Sequence, residues 1–412
     1  MKTTAVMQHK QCHTLSMLTS IVRTPLAVLG LTVGLMASAQ AATFAECLSG
    51  LKAEAVLAGI PEVLVRDSLD SLTPQQDVLR LDRTQPEFSK GFADYHGKRV
   101  TDAQVAKAQQ LWRDNQALFD RIFAKYHVQP QYLLAFWGLE SNFGGYFGKT
   151  PTIQALATLA CDGRRSDFFK AELMNALKIV NEGAVSAQNM TGSWAGAMGH
   201  MQFMPSTFLN YAVDADGDGR RNIWSSQTDA LTSAANYLHS IGWDGEYRWG
   251  REVYLPDGFD YRVASIKNKM SLKQWAALGV RTIDGQLIPD APIQAALIVP
   301  TGHEGPAFLV YGNFDMIMEW NRSESYALAV GLLADRIAGV AEPSKAFVSS
   351  PTLYFDQVKQ MQNKLNEMGY NAGEADGVFG SGTRSAISRY QAEHKMVADG
   401  FPDAEVLKAL AP

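Results

Sequence analysis

The residue best placed to do chemistry is Glu140, which closes the apolar run in "QPQYLLAFWGLESNFGGYFG". A helix starting near Pro130 puts Glu140 on the stripe that carries Leu133 and Phe136. Desolvation on such a stripe raises a carboxyl pKa, which is what a general acid needs to protonate a leaving oxygen near neutral pH. Taken alone, the segment also reads as a helix ending in an exposed Glu at a glycine-rich exit.

Three further segments carry polar chemistry. "SWAGAMGHMQFMPSTF", Ser193 to Phe208, places Gly199 where a backbone can approach closely, with Ser193 and Gln202 as directed hydrogen-bonding groups for a carboxylate or an acetamido sugar. Its Met198, Met201 and Met204 read as core, and His200 as structural rather than as a base. "DADGDGRRNIW" spaces Asp214, Asp216 and Asp218 by two and follows them with Gly219. That is the start of a calcium loop, completed by the Arg220 carbonyl and a later carboxylate. Ser225 stands where the closing Glu of such a loop belongs, so Asp229 is the candidate replacement; the other reading is an acidic turn neutralised by Arg220 and Arg221. In "YGNFDMIMEWNRSESYALAV", Trp320, Asn321 and Tyr326 offer aromatic surface and an amide to a sugar ring, or are ordinary core.

The elements that must position these groups are mostly helical. From Phe44 to about Ala338, apolar residues recur at three and four, as in "TDAQVAKAQQLWRDNQALFDRIFAKYHV" and "TDALTSAANYLHSIGW". Between Tyr247 and Phe314 short apolar segments alternate with Gly, Asp and Pro, which predicts a small strand-bearing insert. "GVAEPSKAFVSSPTLY" reads as a linker. Beyond it, Val358, Met361, Leu365 and Met368 share one helical face, Ala386, Ile387 and Tyr390 another, and a short helix surrounds Leu407: a compact three-helix module.

The first forty or so residues have the pattern of an export signal. Lys2, Lys10 and Arg23 stand without acidic residues, an apolar stretch runs from Pro25 to Met36, and "ASAQAA" supplies a cleavage site after Ala41. No later segment is long and apolar enough to span a bilayer. "FAEC" at Cys47 is a poor lipid-attachment site, so a free periplasmic protein is expected, with peripheral membrane association left open. The chain carries a formal charge of −5, made three units more negative by loss of the leader, which argues against nucleic acid as a partner. Cys12 leaves with the leader, so Cys47 and Cys161 remain in an oxidising compartment; a disulfide between them is the economical reading, two buried thiols the alternative.

Through "GLESNFG", "SWAGAMGHMQFMPSTF", "DADGDGRRNIW", "AANYLHSIGW" and "WNRSESYALAV", the chain from about Phe44 to Ile337 resembles the exported lytic murein transglycosylases of the B family, relatives of goose-type lysozyme. "VKQMQNKLNEMGY" and "ADGVFGSGTRSAISRYQ" resemble the helical peptidoglycan-binding domain. The resemblance implies a lysozyme-like, mainly α catalytic domain over residues 42–340, a linker at 341–351 and a binding module at 352–412. It implies cleavage of the β-1,4 bond between N-acetylmuramic acid and N-acetylglucosamine without water, leaving a 1,6-anhydromuramoyl end. Glu140 would act as acid and then as base, Ser193 and Asn321 would orient it and the substrate, and Gln202, Tyr237 and Tyr326 would line the subsites, with His200 and Trp320 standing where relatives carry tyrosine. No cofactor is required for that chemistry, a structural Ca²⁺ is implied, and the expected partners are glycan strands, stem peptides and other wall enzymes. A hydrolase would want a second carboxylate, for which Asp162 and Asp315 are the candidates. A hydrolytic muramidase and a non-catalytic wall-binding protein are the competing readings.

Overall fold

The computed structural model describes residues 33–84 and 91–410. The expected leader lies mostly outside them, and a helix, Val33–Leu57, runs through the expected cleavage site. Among the described residues no helix is long and apolar enough to cross a membrane.

The centre of the larger domain is the helix Pro130–Ser141, in which every residue from Tyr132 to Leu139 is buried. A sequence apolar on all sides must be surrounded, and the helices Asp102–Asp114, Gln227–Ile241 and Glu324–Ile337 pack around it. Pro130 opens it at the first helical position, where its missing N–H costs nothing. It stops because Asn142, Phe143 and Gly144 all take left-handed backbone conformations. At Gly144 a side chain has no room: a Cβ would lie 2.4 Å from His200 Cε1. The abrupt stop leaves Glu140 in the last helical turn.

The strand-bearing insert is a five-stranded antiparallel sheet in the order Lys269–Ser271, Gln294–Ile298, Ala307–Val310, Gly250–Tyr254, Arg281–Thr282. Residues 294–298 and 307–310 alternate between two cores. Ala296, Ile298, Phe308 and Val310 join the main one, whereas Ala295, Leu297, Ala307 and Leu309 close a smaller one around Trp275. Burial on both faces explains why these strands read as continuous apolar runs rather than alternating ones. A two-stranded ribbon, Thr150–Pro151 with Thr191–Gly192, brings the Ser193 segment beside the end of the central helix.

Cys47 and Cys161 are joined, 114 residues apart. The segment expected as a linker has no regular structure but is fastened down: Phe347 packs edge-on against Phe92, and Ser344 donates to Glu252 at 2.6 Å.

The small module contains the helices Phe355–Glu367, Ser381–Glu393 and Ala404–Leu410. Val358, Met361 and Leu365 are buried as expected, but Met368 is exposed, because the first helix ends at Glu367 and the chain turns away. The same turn is built twice. Gln362 Nε2 donates to Asp376 Oδ1 and the Val378 carbonyl while its Oε1 accepts from Gly377 N. Gln391 repeats this with Asp399 Oδ1, the Phe401 carbonyl and Gly400 N. Each turn needs its glycine at positive φ, 74° and 70°. The copies differ in use: Asp376 is exposed, whereas Asp399 Oδ2 accepts from the backbone N–H of His303, at 2.9 Å, and lies 2.7 Å from its Nδ1, which docks the module on the larger domain.

Candidate active site

Glu140 Oε1 accepts two hydrogen bonds, from Trp320 Nε1 at 2.8 Å and from Tyr326 Oη at 2.5 Å. Both donors come from the far end of the domain, 180 and 186 residues away in sequence. Burial pushes the Glu140 pKa up to about 7, against the two hydrogen bonds and the charge of Arg99, which favour the carboxylate. The carboxyl is therefore poised to exchange a proton near neutrality. With Oε1 saturated by donors, Oε2 is the oxygen left to carry that proton toward a ligand.

Trp320 is held by stacking as well as by its N–H. Its ring contacts Phe136 at 4.5 Å, Tyr237 at 5.1 Å and Phe203 at 5.4 Å between centroids. Tyr237 continues the row onto Tyr211, and burial raises its phenol to about 12, so it remains a hydrogen-bond donor. Tyr326 is buried, with its hydroxyl committed to Glu140, and that environment keeps it protonated. The aromatic cluster expected as sugar-facing surface thus also contains the two donors to the Glu140 carboxyl. Asn321 follows at the helix end and is partly exposed.

The Ser193–Gln202 loop lies against the other side. Ser193 Oγ accepts from Ala197 N and stays partly exposed. Gln202, at φ 47°, spends its amide hydrogens on the carbonyls of Gly199 and Phe147, which leaves Oε1 without a partner among the described residues. Met198 and Met201 are buried, as expected of core. His200 ties this loop to the central helix: Trp137 Nε1 donates to its Nδ1 at 3.0 Å, and Ser141 Oγ donates to its carbonyl at 2.6 Å. Burial lowers the His200 pKa to about 4, so it is a neutral structural group.

Behind that loop, Asp214, Asp216 and Asp229 bring carboxylate oxygens within 4.8 Å of one another. The fully buried Asp229 accepts backbone N–H groups from Ala215, Asp216 and Asn222 and so organises the loop. Asp218, expected as a third alternate ligand, is not in this group; its Oδ1 turns back to accept from Arg220 N, as a short side chain in a tight turn does. The loop ends on Ile223, whose carbonyl accepts from His200 N. A change in the acidic loop therefore reaches the helix that carries Glu140 through two hydrogen-bonded steps.

The two carboxylates that a hydrolase would need are engaged elsewhere. Asp162 pairs with Arg83 at 2.9 Å, and Asp315 with Lys269 at 2.5 Å. No carboxylate is among the groups that shift Glu140; Glu319 is felt by Tyr237 but not by it. Sequence reasoning missed Tyr95 and Arg99, on the helix Phe92–Arg99. Tyr95 senses the charge of Glu140, and Arg99 opposes the rise of its pKa. Their helix lies some forty residues before Glu140 and carries no motif, so only the tertiary structure places them there.

Comparison with known proteins gives the same picture. Residues 43–335 match the family model described as a transglycosylase SLT domain, and residues 356–410 match a peptidoglycan binding domain. The membrane-bound lytic murein transglycosylase B of Escherichia coli is 35% identical over 259 residues, 59% of this chain and 66% of that relative. The structure of SltB3 from Pseudomonas aeruginosa in complex with NAG-anhNAM-pentapeptide superposes with a TM-score of 0.84 at 40% identity, over 90% of this chain and 99% of that one. That of the Escherichia coli lytic transglycosylase Slt35 in complex with calcium has a TM-score of 0.63 at 30% identity, over 71% of this chain and 92% of that one. With the Glu140 helix and its two donors inside the first match and the small module inside the second, the chain belongs to the transglycosylase SLT domain family.

Proposed function

We propose that the protein is a lytic transglycosylase that cleaves the β-1,4 bond between N-acetylmuramic acid and N-acetylglucosamine and closes a 1,6-anhydro ring. The observation that carries this is a single carboxyl group with a pKa of about 7, one oxygen saturated by Tyr326 and Trp320, and no second carboxylate acting on it. Protonated Glu140 gives its proton to the glycosidic oxygen as the C1–O4 bond breaks. The carboxylate so formed is held by the two donors, then takes the proton of the muramoyl C6 hydroxyl as that oxygen bonds to C1. The proton count on Glu140 is restored and water is not consumed. A nearby acetamide oxygen of the substrate meets the charge at C1, a role that needs orienting groups rather than a second acid. Ser193, Gln202, Tyr237 and Asn321, all partly exposed, are the residues for it.

The catalytic domain occupies 42–340, the strapped linker 341–351 and the peptidoglycan-binding module 352–412; export to the periplasm with removal of residues 1–41 fits this substrate. Asp214, Asp216 and Asp229 suit a hard cation such as calcium, which would brace the loop without entering the reaction. Added calcium then raises the Tm of the wild type and not of Asp216→Asn; an equal rise in both would remove the site. The reaction itself is tested by digesting purified peptidoglycan with the mature protein and with Glu140→Gln. Muropeptide ends one water lighter than reducing ends, lost in the variant, are expected. Reducing ends would make the enzyme a muramidase, and intact sacculi that retain the protein would make it a binding protein.

A further inference from the structure

Between the catalytic domain and the small module lies a cavity of about 390 Å³, in the size range of small-ligand sites. One wall is the helix Ser381–Glu393, which turns Ser381, Arg384, Ser385 and Ser388 toward it; Ile266 and Val299 form part of the other. A second cavity, of about 290 Å³, shares Ser381, Arg384 and Glu324 with the first and is lined farther along by Tyr95 and Arg322, at the edge of the Glu140 site. The two form a continuous interdomain path; Glu140 itself lines neither cavity, but Tyr95, which senses its charge, lines one end.

The charged groups along this path divide sharply. Arg262 is held bidentately by Asp260, Arg389 donates to the Tyr370 and Asn371 carbonyls, Glu393 accepts from Tyr370 Oη, and Asp399 is taken by His303 and Gln391. Arg384 has none of this: its Nη1 is buried with no acceptor, and its guanidinium rests 5.5 Å over the Phe379 ring. Among the described residues Glu324, on the opposite wall, has no hydrogen bond or ion pair either, and the two do not pair with each other; the exposed Arg322, at the far end, is also without one. A guanidinium N–H group buried without an acceptor costs free energy that a carboxylate partner recovers. An unpaired carboxylate on the facing wall asks for an ammonium group.

We propose that this interdomain path binds the stem peptide of the substrate, with Arg384 pairing a free peptide carboxylate and Glu324 a free ammonium group. The proposal rests on the transglycosylase reading. It adds that the enzyme prefers strands whose peptides carry both charges, as an uncrosslinked stem with a diamino acid does, over denuded strands. The peptide leaves the muramoyl ring beside the cleaved bond, and Tyr95, which senses the charge of Glu140, lines the near end of the path.

Two measurements on the full-length protein test this. In the first, kcat/KM is compared on peptide-bearing glycan strands and on strands denuded by an amidase, for the wild type, Arg384→Met and Glu324→Gln. A loss of tenfold or more on peptide-bearing strands, with denuded strands unchanged, is expected; equal losses on both substrates, or none, would overturn the proposal. In the second, free stem tetrapeptide carrying a diamino acid is titrated calorimetrically into Glu140→Gln and into the same variant with Arg384→Met. Binding is expected to weaken tenfold or more with Arg384→Met and to recover in part with Arg384→Lys; no binding to Glu140→Gln would sink it. The second measurement does not depend on the reaction, and a wild type that yields no anhydro ends from either strand refutes the reaction alone.

Discussion

Replacing Tyr326 by Phe removes one hydroxyl from the site and keeps the ring. Its Oη donates to Glu140 Oε1 at 2.5 Å, and that bond favours the carboxylate against the burial that raises the Glu140 pKa to about 7. A hydrogen bond to a charged group is worth about 1.5–3 kcal/mol, and each pKa unit about 1.4, so its loss moves the pKa up by roughly one to two units, to about 8–9. In the proposed mechanism cleavage starts from protonated Glu140, so the alkaline limb of kcat/KM for release of anhydromuropeptides is expected near 7 in the wild type and should move upward by that amount in Tyr326→Phe. The plateau falls as well, by about tenfold or more, because the carboxylate that forms as the proton leaves has lost a donor. Trp320→Phe gives a shift in the same direction. The assay is the pH dependence of kcat/KM on soluble glycan fragments, with a melting curve to show that the buried ring still packs. A limb that stays near 7, or moves to lower pH, would refute the assignment of the proton to Glu140 and of the donor to Tyr326.

Glu140 also has a stability consequence. Its folded pKa of about 7 lies above the ordinary 4.5, so the folded state holds the proton more tightly and stability falls as pH rises between those values, by up to about 3 kcal/mol. Glu140→Gln should therefore melt above the wild type at pH 8 and no higher than it at pH 4; a pH-independent difference would contradict the buried-carboxyl argument. Cys47→Ser with Cys161→Ser opens a loop of 114 residues and should cost up to about 5 kcal/mol in urea unfolding, with activity of the surviving folded fraction unchanged. Gly144→Ala meets His200 at a positive φ and should lower both Tm and kcat by displacing His200 and the end of the catalytic helix; wild-type values would show that this turn is not what places Glu140.

The run from Pro130 to Gly144 already announces its helix, its stop and its carboxylate, because periodicity, a proline at the first turn and a glycine at the exit act within fifteen or so residues. The cysteine pair, the strand-bearing insert and the three-helix module were legible for related reasons of counting and local pattern. What the acidic loop does was legible only in part. Spacing offered three alternate aspartates and Asp229 as the closing candidate; Asp229 does join Asp214 and Asp216, but turn geometry sends Asp218 back to its own backbone. Trp320 and Tyr326 were visible as aromatics suited to a sugar, yet their N–H and O–H reach Glu140 across about 180 residues of chain, and nothing local encodes that. The same holds for Arg99, for the Phe347 strap and for Arg384, whose lack of a partner is a property of two docked modules. Hydrophobic pattern and backbone sterics are set by near neighbours and can be read along the chain. Desolvation, the choice between two carboxylate oxygens and the pairing of charges depend on which distant surfaces meet, and the tertiary structure alone decides them.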